Sequence, residues 1–113
     1  MDNNASLDPL FAALADPTRR AIIGRLGRGP ASVGELAAPA DMALPSFMKH
    51  LRLLEACGLI RSEKTGRVRT CRLVPERLAP VSGWLADQQR IWESRTDRLE
   101  QLAIAMQDRT QSS

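Results

Sequence analysis

The chain has a single histidine, His50, and two cysteines, Cys57 and Cys71, among 113 residues. Tight sites for soft or borderline metals need thiolate or imidazole ligands, so no metal site is expected. Scattered carboxylates such as Asp87, Glu93, Asp97 and Glu100 read instead as a solvated helix face. With one histidine, no nucleophile beside a plausible base and no glycine-rich phosphate loop, the expectation is a protein that is not an enzyme. It has no candidate catalytic residue and no implied cofactor. No apolar run approaches the roughly 18 residues that a membrane helix needs, and MDNNASLDPL carries neither a basic nor an apolar targeting region. These absences predict a single cytoplasmic domain over 1–113, with both cysteines as thiols.

What is present is unevenly distributed charge. The formal net charge is +3, but residues 42–80 hold eight basic side chains against three acidic ones, while each flanking segment has one more acid than base. A positive field concentrated in one segment is the footprint expected for a polyanionic partner. An acidic protein or a membrane surface would be served by it too.

The basic segment opens on LPSFMKHLRLLEACGLI, from Leu44 to Ile60. At roughly 100° per residue, Leu44, Phe47, Met48, Leu51 and Leu54 gather on one side of a helix, with Pro45, Ser46, Lys49 and Arg52 on the other. A helix with one apolar face and one short, cationic face suits the major groove. An ordinary amphipathic surface helix would look the same in isolation, so the surroundings have to decide.

Before it, Leu7, Leu10, Phe11 and Leu14 recur at helical spacing and predict a first helix that ends before Asp16-Pro17. Asp16 is an N-cap with Pro17 at the first position of a second helix, which runs to about Leu26 and is stopped by Gly27, Gly29 and Pro30. Ser32 and Glu35 form a capping box for a brief third helix ending by Pro39. Two short helices a few residues apart make a helix-turn-helix over about 32–57. Neither Ala43 nor Leu44 is a good N-cap for the second of them, and Pro45 in its first turn partly compensates.

After it, Gly58 ends the helix, and Leu59–Lys64 with Arg67–Leu73 predict a β-hairpin turning at Thr65-Gly66, within a wing of about 59–74. The two-residue period places Cys71 and Leu73 on one face, Cys71 packed inward. From about 78 to 107 the chain reads as one long helix. Leu78, Leu85, Trp92, Leu99 and Met106 fall at seven-residue intervals, strengthened by Val81 and Leu102 and interrupted by Gln88 and Arg95. Such a stripe predicts pairing with the first helix and with a second copy. Leu7, Leu10, Phe11, Leu85, Trp92, Leu99 and Leu102 are the candidate dimer interface. From Gln107 onward the polar tail is expected to fray.

ADPTRRAII at 15–23, ASVGELA at 31–37, LPSFMKHLRLLEACGLI, TGRVRTCRL at 65–73 and WLADQQRIWESRTDRLEQL at 84–102 together resemble the ArsR-type winged-helix transcription regulators. The succession covers nearly the whole chain. The resemblance implies a mostly α fold with one β-hairpin (α+β), dimerised through its N- and C-terminal helices. It also implies binding to a two-fold symmetric double-stranded DNA operator, usually to repress transcription. The family's base-reading positions fall on Pro45, Ser46, Lys49 and His50, and its wing tip on Gly66, Arg67 and Arg69. With Arg52 and Lys64 from the basic segment, the candidate DNA-binding set is Pro45, Ser46, Lys49, His50, Arg52, Lys64, Arg67 and Arg69.

Departures narrow the reading. The family often has serine where Met48 stands. Metal-responsive relatives carry an ELCVCDL-like helix, and here ELAAPAD puts Ala37 and Pro39 at the two cysteine positions. Other relatives bind zinc through histidines on the last helix, which has none here. Some sense oxidants through a cysteine pair, so a thiol-based redox-responsive regulator stands as one alternative, with Cys57 and Cys71 as its thiols. A winged-helix protein-interaction module is another. A small-molecule effector of unknown kind is left open, and the inducing signal, the operator and the regulated genes are not legible.

Overall fold

The computed structural model describes the backbone of residues 3–111 and the side chains from Leu7 to Thr110. It divides into two compact units, one ending at Val81 and the other beginning at Ser82.

The first unit opens with α1, Asn3–Leu14, and α2, Pro17–Leu26. Asp16 caps α2 as its sequence requires: the carboxylate accepts from the Arg19 backbone N–H at 3.1 Å, with Pro17 in the first turn. A two-residue strand β1, Ala31–Ser32, leads into the short α3, Val33–Ala37. Both halves of the Ser32–Glu35 capping box form, at 3.1 and 3.3 Å. Helix α4 spans Leu44–Ala56; strands β2, Ile60–Thr65, and β3, Val68–Leu73, form the hairpin.

The sheet has three antiparallel strands in the order β1-β3-β2, with Ala31 opposite Cys71 and Ser62 opposite Cys71 on the other side. The expected lone hairpin is thus extended by β1. Two residues are too short a run to show alternation, so no periodicity announced that strand. The turn also sits one residue later than expected. Thr65 pairs with Val68, which leaves Gly66-Arg67 as the two central residues. Gly66 has φ +64°, the left-handed value that a II′ turn needs at its first central position. Arg67 therefore belongs to the tip and not to the strand.

The core lies among the helices and one sheet face. Leu10, Phe47, Leu54, Leu59, Ile60 and Cys71 are its largest fully buried side chains. A 3-10 turn over Pro75–Leu78 then leads into α5, Ala79–Gln111, whose start still belongs to the first unit through buried Val81. The helix continues past Gln107, where a frayed tail was expected. No glycine or proline interrupts QDRTQ, and Thr110 Oγ1 donates back to the Met106 carbonyl at 3.0 Å. No helix among the described residues is long and apolar enough to cross a membrane.

Candidate nucleic-acid interface

Helix α4 is held to the core by Phe47, Leu51 and Leu54, all buried, with Met48 half-buried beside them. Pro45, Ser46, Lys49 and Arg52 are exposed on the opposite side, as the 3.6-residue period requires. Leu44 departs from its expected face: it is 56% exposed. As the first residue of the helix it projects beyond the core that Phe47, one turn later, fills. The helix start has no side-chain cap at Ala43. Its end is better secured, because Arg77 Nη2 donates to the Cys57 carbonyl at 3.2 Å. Gly58, at φ +82°, allows this approach, since a Cβ there would stand 2.9 Å from Arg77 Nε.

His50 is drawn inward to a junction with α1 and α2. Arg19 Nη1 lies 3.0 Å from His50 Nδ1, and Asp16 Oδ2 lies 3.8 Å from the same nitrogen. A guanidinium can only donate, so Nδ1 accepts and the ring proton sits on Nε2. The rest of Arg19 closes the end of α1, donating to the carbonyls of Ala13 at 2.7 Å and Ala12 at 3.0 Å; Arg20 donates to that of Leu14 at 2.9 Å. The Ala13 and Leu14 carbonyls at the end of α1 are thereby satisfied by the next helix, and that of Ala12, which also takes the Ala15 backbone N–H at 3.2 Å, gains a second donor. In the sequence Arg19 and Arg20 count toward the flanking segment's charge and stand within ADPTRRAII, and two cations just after a helix end were a further usable signal.

On the wing, Ile60, Ser62 and Lys64 of β2 share a face with Leu73, Cys71 and Arg69 of β3. Ile60 and Cys71 are each 1% exposed, so this is the face turned to the helices. Lys64 and Arg69 occupy its outer end and Arg67 its tip, all exposed. Arg69 Nη1 donates to Ser62 Oγ at 2.9 Å, and Ser62 Oγ donates to Glu55 Oε1 of α4 at 2.6 Å. On the reverse face Arg72 and Glu63 approach to 3.8 Å. The side chains of Ser46, Lys49, Arg52, Lys64 and Arg67 have no hydrogen-bond or ion-pair partner among the described residues. Exposed cations on α4 and the wing tip are thus available to a polyanion.

The candidate dimer residues divide. Leu7 and Leu10 are buried in the first unit's own core, so of the three α1 candidates only Phe11, at 36%, keeps much surface. On α5, Leu85, Trp92, Leu99 and Leu102 are all exposed, between 51% and 68%. Both cysteines are free thiols. Cys57 is half-buried and donates to the Leu54 carbonyl. Burial pushes the Cys71 thiol above its ordinary range, the Glu55 carboxylate adds to this, and Arg69 works against it. Among the described residues no three His, Cys, Asp or Glu side chains come together as a metal site would need.

Residues 14–63 match a family described as a helix-turn-helix domain. The chain is 38% identical over 92 residues to the HTH-type transcriptional regulator Rv2034 of Mycobacterium tuberculosis, covering 81% of this chain and 83% of that one. It is 35% identical over 72 residues to the HTH-type transcriptional repressor SmtB of the same species, covering 64% of this chain and 53% of the repressor. A crystal structure of an ArsR family transcriptional regulator superposes with a TM-score of 0.76 at 60% identity, over 80% of this chain and 94% of that one. The capped helix-turn-helix, the basic hairpin and these likenesses agree: the chain belongs to the ArsR family of winged-helix, DNA-binding transcriptional regulators, which are not enzymes.

Proposed function

We propose that the protein is a dimeric, sequence-specific DNA-binding regulator that represses transcription by occupying its operator, without a bound metal. One observation carries this reading. Lys49 and Arg52 on α4 and Lys64 and Arg67 on the wing stand exposed, with no acidic partner among the described residues. Laid in the major groove, α4 would present Ser46 and Lys49 to base edges, with Pro45 against the groove wall. Arg52, Lys64 and Arg67 would take phosphates, the wing reaching the backbone beside the groove. His50, engaged by Arg19, would meet DNA only through Nε2. Dimerisation is supported by the apolar stripe of α5, repression by the name of the SmtB relative, and metal independence by Ala37 and Pro39 in ELAAPAD.

The test is a gel shift with DNA from upstream of the protein's own gene, repeated across salt concentrations. The expected outcome is a retarded complex whose affinity falls steeply with salt, by about 0.9 log units per log unit of salt for each phosphate contacted. Arg67→Ala should weaken binding to every duplex and flatten that slope by about one unit. No complex at low salt would end the reading, and an unchanged slope would remove the wing tip from the interface.

A further inference from the structure

We infer that Glu55, Ser62 and Arg69 form a brace that sets the angle of the wing against the recognition helix. Arg69 is then a positioning residue for DNA binding and not one of the phosphate contacts. This rests on the DNA-binding reading above.

The brace crosses three elements. Glu55 is in the last turn of α4, Ser62 on β2 and Arg69 on β3. A serine hydroxyl has one proton. Ser62 gives that proton to Glu55 Oε1 at 2.6 Å and accepts from Arg69 Nη1 at 2.9 Å. With a carboxylate at one end and a guanidinium at the other, both bonds are charge-assisted and polarise the hydroxyl in the same sense. The direction of the arginine matters as well. Its cross-strand neighbour is Lys64, yet it bonds to Ser62, two residues back along β2, which is the diagonal partner on that face. The guanidinium is therefore turned away from the wing tip and toward α4.

Packing does not do this work alone. A cleft of about 250 Å³ separates α4 from the wing here, lined by Met48, Leu51, Ile60 and Cys71 as well as the brace. A gap of that size leaves room for the hairpin to tilt. Among the described residues the Glu55–Ser62 bond is the only side-chain hydrogen bond joining α4 to the wing strands.

Three variants test it: Ser62→Ala, Glu55→Ala and Arg69→Ala, with Ser62→Thr as the variant that keeps the hydroxyl. Each alanine variant should lower affinity for the specific duplex about threefold to tenfold. The salt slope should stay unchanged, pairs of substitutions should do no more than single ones, and Ser62→Thr should bind as the unaltered protein does. Glu55→Ala gives the sharpest sign. If Glu55 acted only as a repulsive charge near DNA, removing it would strengthen binding to every duplex. That result, or a slope flattened by about one unit in Arg69→Ala, would overturn the proposal. A second readout needs no DNA: the Arg69 side-chain N–H should be rigid by NMR relaxation in the free protein and mobile in Ser62→Ala. Equal mobility in both sinks the brace by itself. Failure of the unaltered protein to bind any duplex sinks the DNA-binding reading instead, and with it the role assigned to Arg69.

Discussion

The unit that ends at Val81 and the helix beyond it use the same apolar residue types in opposite ways. In the first, Leu10, Phe47, Leu54 and Leu59 are each no more than 1% exposed. In the second, Leu85 is 51%, Leu99 64% and Trp92 68% exposed. Several helices and a sheet can close around a shared interior, whereas a single helix has only one stripe and nothing of its own to cover it. Truncating the two kinds of residue should therefore give different signatures. Phe47→Ala should destabilise the fold by about 3–5 kcal/mol, through lost burial and the cavity left behind, and urea unfolding would measure it. A cost below about 1 kcal/mol would mean that Phe47 is not the anchor of α4 and would break the comparison.

Trp92→Ala combined with Leu99→Ala should leave the first unit folded and act on self-association. If the α5 stripe is the dimer interface, sedimentation equilibrium should show dimerisation weakened on the order of a hundredfold, with the near-native circular dichroism of the monomer retained. An unchanged dissociation constant would move the interface off α5. The same pair of substitutions in an unpaired helix should cost little folding stability, since exposed apolar side chains lose little on truncation.

How much of this was legible in the sequence depended on the range of the signal. Local devices were readable: Asp16-Pro17, the Ser32–Glu35 box and the apolar face of α4 each work within a few residues, and each formed as its chemistry dictates. Strand β1 was not readable, because a two-residue strand exists only by virtue of the distant β3 it pairs with. The exposed cations were legible as a list, but the direction in which the fold turns each of them was not. Arg69 and Arg67 look equivalent in RVR, yet the turn at Gly66-Arg67 puts Arg67 at the tip, while Arg69, two residues before Cys71, lies on the helix-facing side. His50 fell among the base-reading positions by resemblance, and its contact with Arg19 was not legible because the two lie 31 positions apart.

That partner allows a test of intermediate size. Arg19 ties α1, α2 and α4 together through three side-chain hydrogen bonds, two to carbonyls and one to His50. Arg19→Ala should cost about 1–3 kcal/mol, as the carbonyls at the end of α1 lose a charged donor. Arg19→Lys should recover only part, because an ammonium lacks the planar fork that reaches several acceptors at once. Full recovery would show that charge near the helix end suffices and that the junction is less specific than its geometry indicates.

The smallest effect sharpens the comparison from the side of the first unit, whose helix starts depend on caps. The backbone N–H of Arg19 holds the Asp16 carboxyl below its ordinary value near 3.8; desolvation opposes this, and the Arg19 guanidinium and the Thr18 N–H support it. A carboxyl whose pKa is lower in the folded state stabilises fully above its unfolded value, and the contribution is lost as pH falls through the folded one. Stability from this group should thus decline below about pH 4. Asp16→Asn keeps a good N-cap but cannot titrate, so it should match the unaltered protein closely at pH 7 and show a shallower acid limb. Urea midpoints from pH 5 downward would measure the difference, and parallel acid limbs would mean that the cap acts through its oxygen alone and its charge contributes nothing.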